Sequence, residues 1–128
     1  MIQGLVIKER SRMYIQKLKE LVNKNEISYC IVVNLDTNSI DKIGDATVLE
    51  YKGLVEQLFG SIQQIKLLND SLVGQQLPRS WKQGKVKCLV CKPNSNIIVG
   101  LFYNERRSFI ESIDFGNEIA RKIDSIWN

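Results

Sequence analysis

The sequence predicts an α+β domain: a single five-stranded antiparallel sheet flanked by three helices, in the order α-β-β-α-β-β-β-α. Three observations predict it. Apolar residues recur at three- and four-residue spacings near the start, in the middle and at the end of the chain. Between these stretches lie short runs rich in β-branched and aromatic residues, bounded by Asn, Asp, Ser, Gly and Pro. A chain of 128 residues, 44% hydrophobic and 25% charged, suits one domain with a buried core and excludes disorder.

Residues 1–10, MIQGLVIKER, are read as an N-terminal arm whose structure the sequence leaves open: a free arm, an extra strand or part of the first helix. The single domain is expected over 11–128. From Ser11 to Asn25, the apolar set Tyr14, Ile15, Leu18, Leu21 and Val22 is interleaved with Arg12, Lys17, Lys19, Glu20 and Lys24, which predicts an amphipathic helix. Tyr29 to Leu35, YCIVVNL, is too apolar to face water and reads as a buried central strand. Asp36-Thr37-Asn38-Ser39 is turn chemistry, and Ile40 to Gly44 returns as a second strand.

From Val48 to Leu72, the residues Leu54, Val55, Leu58, Phe59, Ile62, Ile65 and Leu68 fall on one broad face and predict one long helix. Gly53 and Gly60 sit inside it, each at a cost of about 1 kcal/mol relative to alanine. Gly60 is either tolerated there or lets another backbone approach closely. Three strands follow, over Gln76 to Trp81, Lys85 to Lys92 and Ile97 to Tyr103, with turns at Gln83-Gly84 and Pro93-Asn94-Ser95-Asn96. Pro78 lacks an N–H and places the first of them at an edge or beside a bulge. Ser108-Phe109-Ile110-Glu111 fits a capping box at the start of the last helix, and Gly116 is expected to kink or split that helix.

Composition narrows the chemistry. The chain has no histidine, which removes the commonest general base, the Ser-His-Asp and Cys-His nucleophile systems and the usual nitrogen ligand of zinc. The stretch KCLVCK holds two of its three cysteines. In a strand, residues three apart point to opposite faces, so Cys88 goes with Val86 and Val90, and Cys91 with Lys87 and Leu89. Two such sulfurs cannot grip one tetrahedral metal, and Cys30 alone cannot supply the missing pair. A thiol nucleophile at Cys30, Cys88 or Cys91 lacks an activating base, so no enzyme, metal or cofactor is expected. Neither a Walker phosphate loop nor a Gly-x-Gly-x-x-Gly turn is present.

The net charge of +4 is mild and its basic residues are spread, so a nucleic-acid groove is not expected. Lys82, Lys85, Lys87 and Lys92, with Arg79, form a basic cluster in sequence that suits an acidic partner. Trp81 beside Arg79 and Lys82 is either a partner-binding anchor or a residue packed at the sheet edge. The apolar runs are far shorter than the roughly 18 residues of a membrane span. The opening MIQGLVIKERSR lacks the pattern of a secretory signal, and a cytoplasmic protein is the expectation.

Taken together, YCIVVNLDTNSIDKIGDA as first hairpin, EYKGLVEQLFGSIQQIKLL as long helix and QQLPRSWKQGKVKCLVCKPNSNIIVGLFY as three-strand meander resemble the roadblock / dynein light chain family, of profilin-like fold, over Arg12 to Asn128. The resemblance implies a non-enzymatic homodimeric adaptor that binds or regulates a small Ras-like GTPase or serves a motor or signalling assembly. It also implies pairing through the long helix and the third strand. The dimer surface would then use Lys52, Glu56, Gly60, Gln63, Gln64 and Leu67, with Gln76, Leu77, Arg79 and Trp81 from the strand. The alternative is a small-ligand sensor with a pocket between sheet and helix.

Overall fold

The computed structural model describes the backbone of residues 2–128 and the side chains of 13–128; Met1 lies outside the described residues. The first helix, α1 (Ile2–Lys24), has a backbone that starts earlier than the expected Ser11. Of the arm expected over 1–10, the side chains lie outside the described residues. Strands β1 (Tyr29–Asn34) and β2 (Ser39–Gly44) form the first hairpin, and β3 (Arg79–Gln83), β4 (Val86–Asn94) and β5 (Ile97–Asn104) form the meander. All pairings are antiparallel, and the sheet order is β2-β1-β5-β4-β3. The long, apolar β5 is therefore central, and β2 and β3 are the edges.

Alternation along the strands divides the core in two. Tyr29, Ile31, Val33, Cys88, Val90 and Phe102 point to one face. Cys30, Val32, Leu89, Cys91, Leu101 and Tyr103 point to the other, which is covered by α1 and by α4 (Phe109–Trp127). The cysteine pair of KCLVCK thus lies on opposite sides of β4, as the strand period requires.

The first face carries two helices, α2 (Gly53–Phe59) and α3 (Ile62–Ser71), where one was expected, so the sheet is flanked by four helices and not three. The break is written in Gly60-Ser61. Gly60 closes α2 by donating its N–H to the Glu56 carbonyl at 3.0 Å, and a Cβ there would collide with that same oxygen. Ser61 is extended (φ −153°, ψ 163°), and its hydroxyl accepts from the Gln64 N–H at 3.2 Å, capping α3. The apolar stripe runs on across the break, which hides it from periodicity.

Three further expectations are corrected. β3 covers Arg79–Gln83 and not Gln76–Trp81, so Pro78 precedes the strand and withholds no donor from it. β4 runs on to Asn94, with an irregular register between Cys91 and Asn94 that accommodates Pro93. Gly116 does not split α4, which runs unbroken through it: the glycine is buried over the sheet, where a Cβ would sit 3.3 Å from Leu89 Cδ1, so its role is close helix–sheet approach. The expected capping box forms in its serine half: the Ser108 hydroxyl accepts from the Glu111 N–H (3.3 Å), while Glu111 Oε1 accepts from that hydroxyl (2.6 Å) and not from the Ser108 backbone N–H.

Candidate interaction site

Among the described residues strand β3 pairs with β4 alone, so its outer edge turns backbone donors and acceptors to solvent. Trp81 lies opposite Cys88 and Arg79 opposite Val90, which puts both side chains on the α2–α3 face. Trp81 is half-buried against that apolar layer. The Arg79 guanidinium lies 5.6 Å from its ring centroid and donates from Nη1 to Gln75 Oε1 at 2.8 Å, a cation–π stack held from outside. Of the two sequence readings of Trp81, the structure shows the packing at the sheet edge, with part of the ring left at the surface.

Trp81 also forms one wall of a shallow hollow of about 280 Å³, with Gln57, Leu58, Gln64, Leu67 and Leu68 along the helices. Leu67 is 68% exposed, an apolar side chain with no cover beside a free strand edge. Of the residues carried over from the resemblance, the structure brings Gln64, Leu67 and Trp81 together here. Gln63 is exposed on α3, and Gln76 and half-buried Leu77 lie in the loop leading into β3. Lys52, Glu56 and Gly60 line a separate hollow of about 180 Å³ between α2 and the β1–β2 hairpin, with Tyr29, Lys42 and Phe59. That volume is below the roughly 300–1,000 Å³ of typical small-molecule sites.

The fold divides the basic cluster, keeping Lys82, Lys85 and Lys87 on the β3–β4 hairpin and sending Arg79 and Lys92 to the α2–α3 side. Lys82 and Lys87 are cross-strand partners, and Lys87 Nζ, on the α4 face, donates to Ser112 Oγ at 2.6 Å. Lys85 sits in the β3–β4 turn, while Lys92 reaches the Asn69 amide oxygen on α3.

A buried polar network that no sequence pattern announces lies under α4. Glu105, whose side chain is 4% exposed, accepts from Ser112 Oγ (2.7 Å), from the Arg107 N–H (2.8 Å) and from Arg107 Nη1 (3.2 Å). Arg107 in turn lies 3.6 Å above the centroid of Phe115. Burial alone would raise the Glu105 carboxyl, but the hydrogen bonds from Ser112 and Arg107 and the guanidinium charge together hold it below its ordinary range. Ser112 occupies a buried helix position with no local pattern to announce it.

All three thiols are free and buried. Burial pushes Cys91 up to about 12, and burial reinforced by neighbouring thiols raises Cys30 and Cys88 as well. Because the thiolate is the reactive form, iodoacetamide at neutral pH is expected to leave the native protein unlabelled over minutes and to label all three sites after urea denaturation. Mass spectrometry checks this, and fast labelling of one site in the native state would reopen the nucleophile reading.

No protein-family model matches the chain, and no curated protein matches it in sequence. Solved structures do match. Myxococcus xanthus MglB superposes with a TM-score of 0.56 at 10% identity, over 89% of this chain and 94% of that one. Myxococcus xanthus MglC gives 0.57 at 17% identity, over 88% and 98%. The gliding protein MglB from Thermus thermophilus gives 0.56 at 10% identity, over 91% and 90%. The fold is roadblock-like. At such identities the likeness concerns architecture, and it leaves the role of the β3 edge to be argued from this chain's own residues.

Proposed function

We propose that the chain is a non-enzymatic homodimeric adaptor that binds and regulates a small Ras-like GTPase in the cytoplasm. The observation that carries the dimer is the free β3 edge beside the hollow lined by Leu67 and Trp81. Two antiparallel copies of β3 about a twofold axis satisfy each other's edge groups and extend the sheet, and the same axis brings each exposed Leu67 toward its mate. In this reading Gln64, Leu67 and Trp81 carry the contact, with Gln63, Gln76, Leu77 and Arg79 at its margin. Lys52, Glu56 and Gly60 lie on the other flank of α2 and join only where the partner's helix reaches across.

The GTPase part of the reading rests on the resemblance of the sequence to the roadblock family, and the roadblock-like fold supports it. Its test is binding of purified Ras-like GTPases from the same genome, loaded with GDP or with a non-hydrolysable GTP analogue, to the immobilised chain. Nucleotide-dependent binding of at least one is expected; failure of all of them in both states would refute it.

A further inference from the structure

The first turns of α4 expose a patch that the proposed dimer does not use. Phe109 is 80% exposed, Ile110 71% and Ile113 45%. Positions 109 and 113 are i,i+4 neighbours and 110 and 113 are i,i+3, so the three side chains form one contiguous apolar tip. With exposures this high the three side chains stand out from the helix surface, which suits a flat or yielding partner better than an inserted peptide.

The surroundings of the tip are polarised. Ser112 receives Lys87 Nζ from β4, and Lys82 is the cross-strand partner of Lys87, which places both lysines beneath the start of α4. Lys85 is tied to the same corner by the bond from the Glu105 N–H to its carbonyl. Arg106 lies next along the chain and is exposed. Lys82, Lys85 and Arg106 make no ion pair among the described residues, whereas Glu105 is already neutralised by Arg107. Glu111 and Asp114 are the acidic groups of these turns, and Glu111 is engaged by Ser108. On the helix Glu111 turns away from Phe109 and Ile113, toward the hollow it shares with Glu26, Arg106 and Arg107, whereas Asp114 follows Ile110 by one turn and borders the tip on its outer flank, so the cations border the tip on its sheet-ward flank only.

We infer that this tip is a docking site for an anionic lipid surface. Phe109, Ile110 and Ile113 would enter the boundary between headgroups and acyl chains, and Lys82 and Lys85 would lie at headgroup level, the division of labour of interfacial helices with basic borders. With three apolar side chains and a short basic border the attachment is weak and reversible, and it is sensitive to salt because the cations are exposed.

The test is co-sedimentation of the full chain with vesicles of phosphatidylcholine alone or with phosphatidylserine added. Binding to the anionic vesicles is expected, with roughly tenfold or greater loss in the double variant Phe109→Ser/Ile110→Ser, since each large apolar side chain withdrawn from water contributes on that scale. Lys82→Glu with Lys85→Glu, or about 0.5 M salt, is expected to weaken binding similarly. All four positions are exposed, and circular dichroism confirms that the variants fold. Absence of wild-type binding to anionic vesicles overturns the inference, including the case in which the tip instead captures a protein. Equal binding to neutral vesicles, or binding unchanged in the double variant, overturns it too.

Discussion

Replacing Phe102 by alanine is expected to lower the unfolding free energy by about 3–5 kcal/mol. Phe102 is fully buried on the central strand β5, cross-strand from Tyr29 on one side and Cys88 on the other. Its ring lies 6.0 Å from that of Tyr29 and meets Phe59 of α2 edge-on at 5.9 Å, so it joins the sheet to the helix layer. The space left behind cannot close easily, because Gly100, two residues away on the same face, is already occupied by Phe59: a Cβ at Gly100 would lie 2.5 Å from Phe59 Cε2. Against a typical domain stability of about 5–15 kcal/mol, such a loss leaves the variant marginal. Urea unfolding with an unchanged slope measures it, and a loss under about 1 kcal/mol would mean that the aromatic cluster is not the keystone described.

The second large effect is expected at Glu105, where Glu105→Ala should cost about 2–3 kcal/mol by stripping Ser112 and Arg107 of a charged acceptor. The pH dependence has a defined sign. The folded carboxyl is held below its ordinary value near 4.5, so its contribution is complete above that value and is lost as the pH falls through the lower folded one. The stability gap between wild type and Glu105→Gln should accordingly be full at neutral pH and shrink below about pH 4.5. A gap independent of pH between 3 and 7 (roughly the window set by carboxylate titration) would show that the carboxylate is a spectator. A loss of α4 docking, read by Trp127 fluorescence beside Tyr14, should accompany the alanine variant, since the two rings stack at 5.0 Å where α4 meets α1.

Much of this architecture is legible from residues alone, for physical reasons. YCIVVN is apolar at every position but its last, and it lies between two strands in the sheet. The Ser108–Glu111 spacing marks a helix start because the cap is local. The opposite orientation of Cys88 and Cys91 follows from the strand period. What escapes is whatever depends on contacts between distant segments or on a backbone event beneath an unbroken pattern. Leu58, Phe59, Ile62 and Ile65 continue one stripe across Gly60-Ser61, so the helix break shows only in the capping chemistry of a glycine followed by a serine. Lys87 on β4, Glu105 in the β5–α4 loop and Ser112 on α4 meet only once the helix has docked on the sheet, and their meeting is a product of the fold. The candidate site was legible in part: Gln64, Leu67 and Trp81 converge, whereas Lys52, Glu56 and Gly60 are turned to the other flank of α2 once the helix is divided.

The central proposal is that the β3 edge and the Leu67–Trp81 hollow join two copies of the chain. Absolute mass by light scattering over a range of concentrations tests it most directly. The account predicts twice 14.7 kDa for the wild type and a shift to a folded monomer in Leu67→Asp combined with Trp81→Ala. A wild-type monomer at every concentration, or a dimer indifferent to both substitutions, would contradict it.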